Sequence, residues 1–110
     1  MLKMNLEFTN GILFCRLKGN LEKKYTYKIN TYLLPLLMKH KIKYLVYNFY
    51  ELDKVDEMGL ESLLNTKCSI RANKGKIYLC EVPLELLPQM KKLRIKRTES
   101  ERTALQLIEV

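Results

Sequence analysis

The sequence is poor in glycine and proline and has no long apolar run, and these shortages exclude two classes of protein. Its 110 residues include 4 Gly and 3 Pro without a low-complexity tract, while 47% are hydrophobic. This composition predicts a folded chain and excludes a largely disordered one. The longest apolar stretches, such as residues 33–38, fall far short of the ~20 residues of a membrane span. We therefore expect no membrane insertion.

The amino terminus has no features of a secretion signal. Residues 1–5 alternate apolar and polar side chains, whereas a signal peptide leads from a basic end into an apolar block. A cytoplasmic location is therefore expected. The length fits one domain, because domains typically have ~100–200 residues, so we predict a single domain over residues 1–110.

Histidine and paired cysteines are scarce, which limits the possible chemistry. His40 is the only histidine, and Cys15, Cys68 and Cys80 are widely spaced without a Cys-x-x-Cys pair. Zinc sites and disulfide frameworks need more ligands or pairs than these. We expect free, buried thiols and no Cys/His or Ser/His catalytic pair.

Acidic residues offer no alternative metal or catalytic site. Asp53, Asp56 and Glu57 lack the ligand spacing and glycine of a calcium loop. No combination of nucleophile, base and oxyanion donors is found. The sequence thus predicts neither an enzyme nor a metal or cofactor protein.

Charge is unevenly distributed along the chain. Lys and Arg number 20 against 12 Asp and Glu, a net charge of +8, with five cations in residues 91–97 and five acids in residues 51–61. A basic chain is a candidate for nucleic-acid binding, but there is no RNA-binding aromatic motif. We expect no direct nucleic-acid partner. Residues 91–97 either contact an acidic protein surface or form a solvated face.

Apolar periodicity predicts an N-terminal β-hairpin. Alternate apolar residues over positions 2–8 indicate a half-buried strand, and Asn10-Gly11 is a typical two-residue hairpin turn. The returning strand is expected over residues 12–17, ending before Gly19-Asn20.

The remainder reads as alternating helices and strands. Helical spacing predicts a helix over 25–39, kinked at Pro35, and another over 58–72. A continuous apolar run predicts a central strand over 42–49, followed by a loop over 50–57.

The C-terminal third repeats this alternation. We expect a strand over 77–82, a third helix from Pro83 that Pro88 limits, and an edge strand over 94–97. Thr98 and Glu101 have capping-box spacing, which predicts the start of a last helix. The order ββαβαβαβα indicates an α/β fold, a mixed sheet of one hairpin plus parallel strands with about four helices. Function is expected near the carboxyl ends of the strands.

The motif at residues 56–60, Asp-Glu-Met-Gly-Leu, lies where a loop meets a helix start. Helix capping and the helix dipole favour carboxylates there, which is a sufficient structural explanation. Two more segments favour a functional explanation over this structural one: Gly-Asn-Leu-Glu at 19–22 and Tyr-Leu-Val-Tyr-Asn-Phe at 44–49. As an ordered set, the three resemble motifs of STAS-domain anti-sigma factor antagonists, most closely the sporulation antagonists of anti-sigma F factors.

The resemblance covers residues 6–108 and implies a function without catalysis. It implies a bacterial STAS-like domain that binds an anti-sigma factor of the ATPase/serine-kinase type and frees a sigma factor for transcription. It also implies a cytoplasmic protein, and we expect a monomer when free. The alternative is an accessory STAS subunit of a transport ATPase or a stress-signalling assembly.

The resemblance also implies partner-binding residues. Glu22 matches the family's acid before the first helix, and Asn48 matches its strand-end position, although a turn acid and a strand-end hydrogen bond are equally good explanations. Asp56 and Gly59 match the first acid and the glycine of the family motif, the glycine being small enough to let a partner approach closely.

The chain departs from the family where phosphorylation is expected. The resemblance implies two adjacent serines in this motif, of which the second is phosphorylated; here Glu57 and Met58 stand at those two positions. The resemblance implies that phosphate on the second serine switches partner binding off. Without that serine, the chain is either permanently competent to bind, which we favour, or its Glu57 partly mimics the phosphorylated state. Hydroxyls further along the helix, at Ser62, Thr66 and Ser69, are expected on its ordinary polar face.

Overall fold

Five strands form one sheet in their order along the chain, in a computed structural model that describes residues 1–108. The first two strands are antiparallel and the others are parallel. The strands are β1 Leu2–Thr9, β2 Ile12–Leu21, β3 Tyr44–Val55, β4 Lys76–Cys80 and β5 Lys96–Thr98. The helices are α1 Leu34–Lys39, α2 Glu57–Ala72, α3 Leu87–Lys91 and α4 Glu101–Ile108. The predicted α/β fold and mixed sheet are confirmed.

Helices cover the two faces of the sheet unequally. The larger apolar cluster joins one face to α1, α2 and α3, and it includes Leu45, Tyr47 and Phe49 of β3. The smaller cluster packs Val46 against Ala104 of α4 on the other face. This follows from strand geometry, since successive side chains point to opposite faces.

The N-terminal hairpin is confirmed. Thr9 pairs with Ile12 across the turn, and Asn10 and Gly11 have positive φ angles of 51° and 80°. Positive φ at both central residues is the geometry that Asn-Gly accepts most readily.

The two strands after this turn are longer than predicted. β2 continues through Gly19 to Leu21, and β3 continues to Val55, so the loop predicted over 50–57 is wrong. The extensions support each other through pairs such as Leu21 with Val55. Register shifts along β2, together with φ +105° at Gly19, interrupt the alternation that the sequence prediction relied on.

The predicted helix over 25–39 is divided into three segments. A 3-10 turn over Lys23–Tyr25 and a π-helical turn over Lys28–Leu33 precede α1. Pro35 lies in the first turn of α1, directly after the π-helical turn, whose last bond runs from the N–H of Leu34 to the carbonyl of Ile29. The position without an N–H thus coincides with the change from one helix type to the next. The regular helix therefore begins beside the proline, and the expected kink is replaced by a change of helix type.

The later elements differ from prediction mainly at their ends. The strand predicted over 77–82 ends at Cys80, the third helix is a 3-10 turn over Leu84–Leu86 followed by α3, and the strand predicted over 94–97 is shifted to Lys96–Thr98. The predicted cap residue is wrong, because the hydroxyl of Ser100, and not that of Thr98, accepts the N–H of Thr103.

Exposure of the thiols also differs in part. Cys15 and Cys80 are buried and free, while Cys68 is exposed. Burial raises the pKa of the Cys15 thiol and raises that of Cys80 to about 12, so both stay protonated at neutral pH. Within residues 1–108, no helix has the length and apolar character needed to cross a bilayer.

Candidate functional site

Asp56 joins the start of α2 to the loop that follows β2. One carboxylate oxygen accepts the N–H of Gly59 at 2.8 Å and caps the helix. The other accepts the backbone N–H of Lys23 at 2.8 Å. Asp56 also donates its own N–H to the carbonyl of Leu21 at 3.2 Å. Two backbone donors on one ionised side chain form strong, directional contacts, so Asp56 is a structural clamp at this site.

Gly59 is buried beneath the same clamp. A Cβ at this position would lie 2.3 Å from the carbonyl oxygen of Leu21 and 3.0 Å from a side-chain carbon of Val55. The lack of a side chain is therefore used within the protein, where it lets the end of β2 lie against α2. The sequence motif predicted close approach of a partner at Gly59 and gave no sign of its contact with β2.

Glu22 and Asp56 lie on one shallow groove. The groove has a volume of about 320 Å³ and is lined by Glu22, Asp53, Lys54, Val55, Asp56, Leu86 and Gln89. The side-chain amide of Gln89 donates to the carbonyl of Val55 at 2.7 Å and fixes one wall. Three of the lining side chains are acidic and one is basic, so the groove favours a cationic or hydrogen-bond-donating contact.

Glu57 and Met58 project from the first turn of α2 beside this groove. Both are exposed, and Met58 leaves 41% of its surface accessible. An apolar, flexible side chain in such a position is suited to contact with a second protein. The structure thus brings together four predicted residues: Glu22, Asp56, Glu57 and Met58.

Asn48 lies apart from these residues, on the sheet face covered by α4. Its side-chain amide donates to Glu81 at 2.7 Å and to Glu101 at 2.9 Å. Arg16 binds Glu101 through two nitrogens, at 2.8 and 2.7 Å, and Glu7 at 2.9 Å. The hydrogen bond from Arg16 lowers the pKa of Glu101. Residues 85 apart in sequence form this network, and the sequence patterns gave no sign of it.

The hydroxyls along α2 are buried, so the expectation of a polar face is wrong. Ser62, Thr66 and Ser69 all lie against the protein interior. Thr66 donates to the carbonyl of Leu63 at 2.7 Å and lies 2.9 Å from the hydroxyl of Tyr47. Ser62 donates to the carbonyl of Gly59 at 2.7 Å. None of these hydroxyls is accessible for modification in the folded chain.

The fold has close counterparts among solved structures. SpoIIAA, an anti-sigma factor antagonist, superimposes in its unphosphorylated form with a TM-score of 0.81, 17% identity and coverage of 97% of this chain and 98% of that one. Bacillus SpoIIAA in its phosphorylated form superimposes with a TM-score of 0.77 and 19% identity, covering 96% of this chain and 99% of that one. An anti-sigma factor antagonist from Mycobacterium paratuberculosis superimposes with a TM-score of 0.78 and 10% identity, covering 100% of this chain and 96% of that one. At these identities the similarity establishes the fold.

Family membership follows from the sequence model that matches this chain. The model of the STAS domain matches residues 3–106, which include the Asp56 clamp, the groove and the first turn of α2. The chain belongs to the STAS domain family.

Proposed function

We propose that this chain is an anti-sigma factor antagonist, which binds an anti-sigma factor of the ATPase/serine-kinase type and releases a sigma factor for transcription. The observation that supports this is the docking surface, defined as Glu22, Asp56, Glu57 and Met58. These residues lie together at the start of α2, on a fold shared with proteins described as anti-sigma factor antagonists. Sporulation and a bacterial cytoplasm are the setting in which we expect this role.

Docking at this surface needs one copy of the chain, and it involves no reaction catalysed by the chain. Met58 supplies an exposed apolar contact, while Glu22 and Asp56 supply carboxylates for donors of the partner. Gly59 acts beneath the surface by letting β2 approach α2. Asn48, on the other face, supports β3 through Glu81 and Glu101. The protein is then a non-catalytic binding module.

Met58 makes the antagonist permanently competent to bind. It has no hydroxyl, and the hydroxyls of Ser62, Thr66 and Ser69 on the same helix are buried. Glu57 occupies a neighbouring position, about 100° around the helix axis, and carries one negative charge where a phosphate carries about −1.5 to −2. Glu57 is therefore a poor substitute for a phosphorylated residue at position 58.

Displacement of a sigma factor is the decisive test. The chain is used to capture an ATPase-fold anti-sigma factor from the native cells, and the purified factor is loaded with its sigma factor. Addition of the chain with ADP or ATP should then release the sigma factor, measured by fluorescence anisotropy. Capture of a transport ATPase or a signalling assembly, with no such release, would favour the accessory-subunit alternative.

Variants of the exposed residues locate the contact without disturbing the clamp. Met58→Glu keeps a residue favourable to a helix start but places a charge in the docking surface, so we expect affinity for the factor to fall at least about tenfold, or 1.4 kcal/mol. Leu107→Glu is the matched control, because Leu107 on α4 has the same exposure of 41%. Equal affinity for both variants would place the contact elsewhere.

A further inference from the structure

Among residues 1–108, no strand lies beside the outer edge of β1. The sheet order places β1 at one edge, paired with β2 alone. Thr9 and Ile12 close the hairpin, and alternate residues of an antiparallel strand bond to the same neighbour. The odd-numbered residues of β1 therefore bond to β2, while the N–H and C=O groups of Met4, Leu6 and Phe8 point outward.

Within the part of the chain that the structure describes, a charged side chain covers this edge at one end. The ammonium of Lys28 contacts the carbonyl of Leu2, which is the kind of charged cover that natural edge strands use. Beyond it, Leu6 and Phe8 remain 36% and 60% exposed. They lie on an open apolar groove of about 490 Å³, lined by Leu6, Phe8, Leu13, Leu36, His40 and Ile42. The free edge and the exposed apolar side chains coincide.

The opposite face of β1 has a charge pattern that is its own complement. Lys3, Asn5 and Glu7 lie in register with Lys18, Arg16 and Phe14 of β2. Lys3 faces a like charge there and forms no ion pair with any residue of the described range 1–108. Glu7 pairs with Arg16, yet 54% of its side chain is still accessible. Lys3 is therefore available to pair with a carboxylate of another molecule, and the exposed side of Glu7 can contact a second cation.

We propose that β1 pairs with β1 of a second copy of this chain, antiparallel, about a two-fold axis at Asn5. Met4 then lies opposite Leu6 of the second copy, and each such pair exchanges two backbone hydrogen bonds. Lys3 lies opposite Glu7 of the second copy in a pair without backbone bonds, where side chains are closer. The two sheets continue across the axis as one.

Charge complementarity selects this register. Shifting the strands by two residues places Lys3 opposite Asn5 in one direction and Glu7 opposite Asn5 in the other. Of these registers, the one centred on Asn5 sets the unlike side chains of Lys3 and Glu7 against each other, and it does so twice per dimer; opposite charges in such pairs stabilise a sheet. The same register places Leu6 and Phe8 beside apolar side chains of the second copy, so both faces of the strand are complementary.

The dimer is expected to be weak and dependent on concentration. A single strand pair buries little surface compared with the ~1,200–2,000 Å² of a stable interface. This proposal replaces the monomeric free state that was expected from the sequence, and it does not depend on the proposed sigma-factor function. An extended segment of another protein on the same edge is the competing occupant, which the test separates.

Two charge-reversal variants, measured alone and as a mixture, test the proposed dimer. Sedimentation velocity over a concentration series should show the native chain dimerising, and Lys3→Glu and Glu7→Lys should each weaken this at least tenfold, because like charges then oppose twice per dimer. An equimolar mixture of the two variants should recover dimerisation, since unlike charges oppose again at both positions. Lys92→Glu and Glu99→Lys, which are exposed and distant in sequence, serve as controls.

The amides of the native chain provide a second measurement that needs no variant. Hydrogen exchange at Met4 and Leu6 should slow as the protein concentration rises. A native chain that stays monomeric throughout the series overturns the proposal. So does a mixture that fails to recover, or a dimer in which the exchange of these two amides is unchanged.

Discussion

The side chain of Asp56 accepts the backbone N–H of Lys23 across 33 residues of sequence, at 2.8 Å. Its second oxygen caps α2 through Gly59. One carboxylate thus sets the distance between the loop that carries Glu22 and the turn that carries Met58. The geometry of the docking surface depends on this residue even where a partner never touches it.

Removing the clamp should destabilise the fold. Asp56→Ala leaves the N–H groups of Gly59 and Lys23 without their acceptor, and loss of an N-cap typically costs about 0.5–2 kcal/mol of the free energy of unfolding. Urea denaturation measures this loss. Asp56→Asn should retain most of the stability, because Asn is a comparable cap. An unchanged urea midpoint in Asp56→Ala would show that the clamp contributes nothing.

Gly59→Ala should also destabilise the protein, although alanine is the better helix former. The added Cβ would lie 2.3 Å from the carbonyl oxygen of Leu21, and overpacking of this kind costs about 1–3 kcal/mol, more than the ~1 kcal/mol that helix propensity returns. Met58→Ala, one position earlier and exposed, is the control and should leave stability nearly unchanged. Urea midpoints that rise in Gly59→Ala would contradict the close approach of β2.

Met58→Ser should create a phosphorylation site. The serine hydroxyl would stand exposed in the first turn of α2, where Met58 is 41% accessible. Incubation with the captured kinase and ATP should add one phosphate to Met58→Ser and none to the native chain, as measured by intact mass. The modified variant should lose affinity for the kinase. Phosphate on the native chain would disprove permanent competence.

The pairing of Arg16 with Glu101 predicts a dependence of stability on pH. The hydrogen bond from Arg16 holds the pKa of Glu101 below its usual value in the folded chain. Its ionised form therefore stabilises the fold above the unfolded pKa of about 4.3, and this contribution is lost as the pH falls through the lower folded pKa.

The measurement compares urea midpoints at pH 7 and pH 3. Glu101→Gln should lower the midpoint at pH 7 and show a smaller loss on acidification than the native chain. Glu99→Gln, an exposed neighbour, should behave like the native chain. If the urea midpoint of Glu101→Gln falls as much between pH 7 and pH 3 as that of the native chain, this ion pair does not cause the pH dependence of stability.

Hydrophobic periodicity predicted the helices and strands well where an element buries one of its faces and exposes the other. The hairpin at Asn10-Gly11 and helix α2 follow from such patterns. The ends of β2 and β3 were missed because each strand is stabilised by the other, and register shifts near Gly19 disturb the alternation. The π-helical turn over Lys28–Leu33 was missed because such turns are rare and the apolar spacing of this segment predicts an ordinary helix.

The candidate site was predictable only in part. A family motif placed Asp56 and Met58 together, because neighbours in sequence share one helix start. Asn48 was grouped with them by motif order, but strand alternation turns it toward Glu101 on the opposite face. The sequence carries no local signal for a contact such as that between Arg16 and Glu101, since only the finished sheet brings them together.

The buried hydroxyls of α2 have a consequence for how such a protein is controlled. A kinase acting on the folded chain finds Ser62, Thr66 and Ser69 enclosed and a methionine at the exposed turn. For the proposed antagonist without a phosphorylated residue at this turn, abundance is one remaining means of control, and the rates of synthesis and proteolysis determine that abundance. If the chain has the proposed function, the number of its molecules in the cell relative to the number of partner molecules would set the threshold for sigma-factor release.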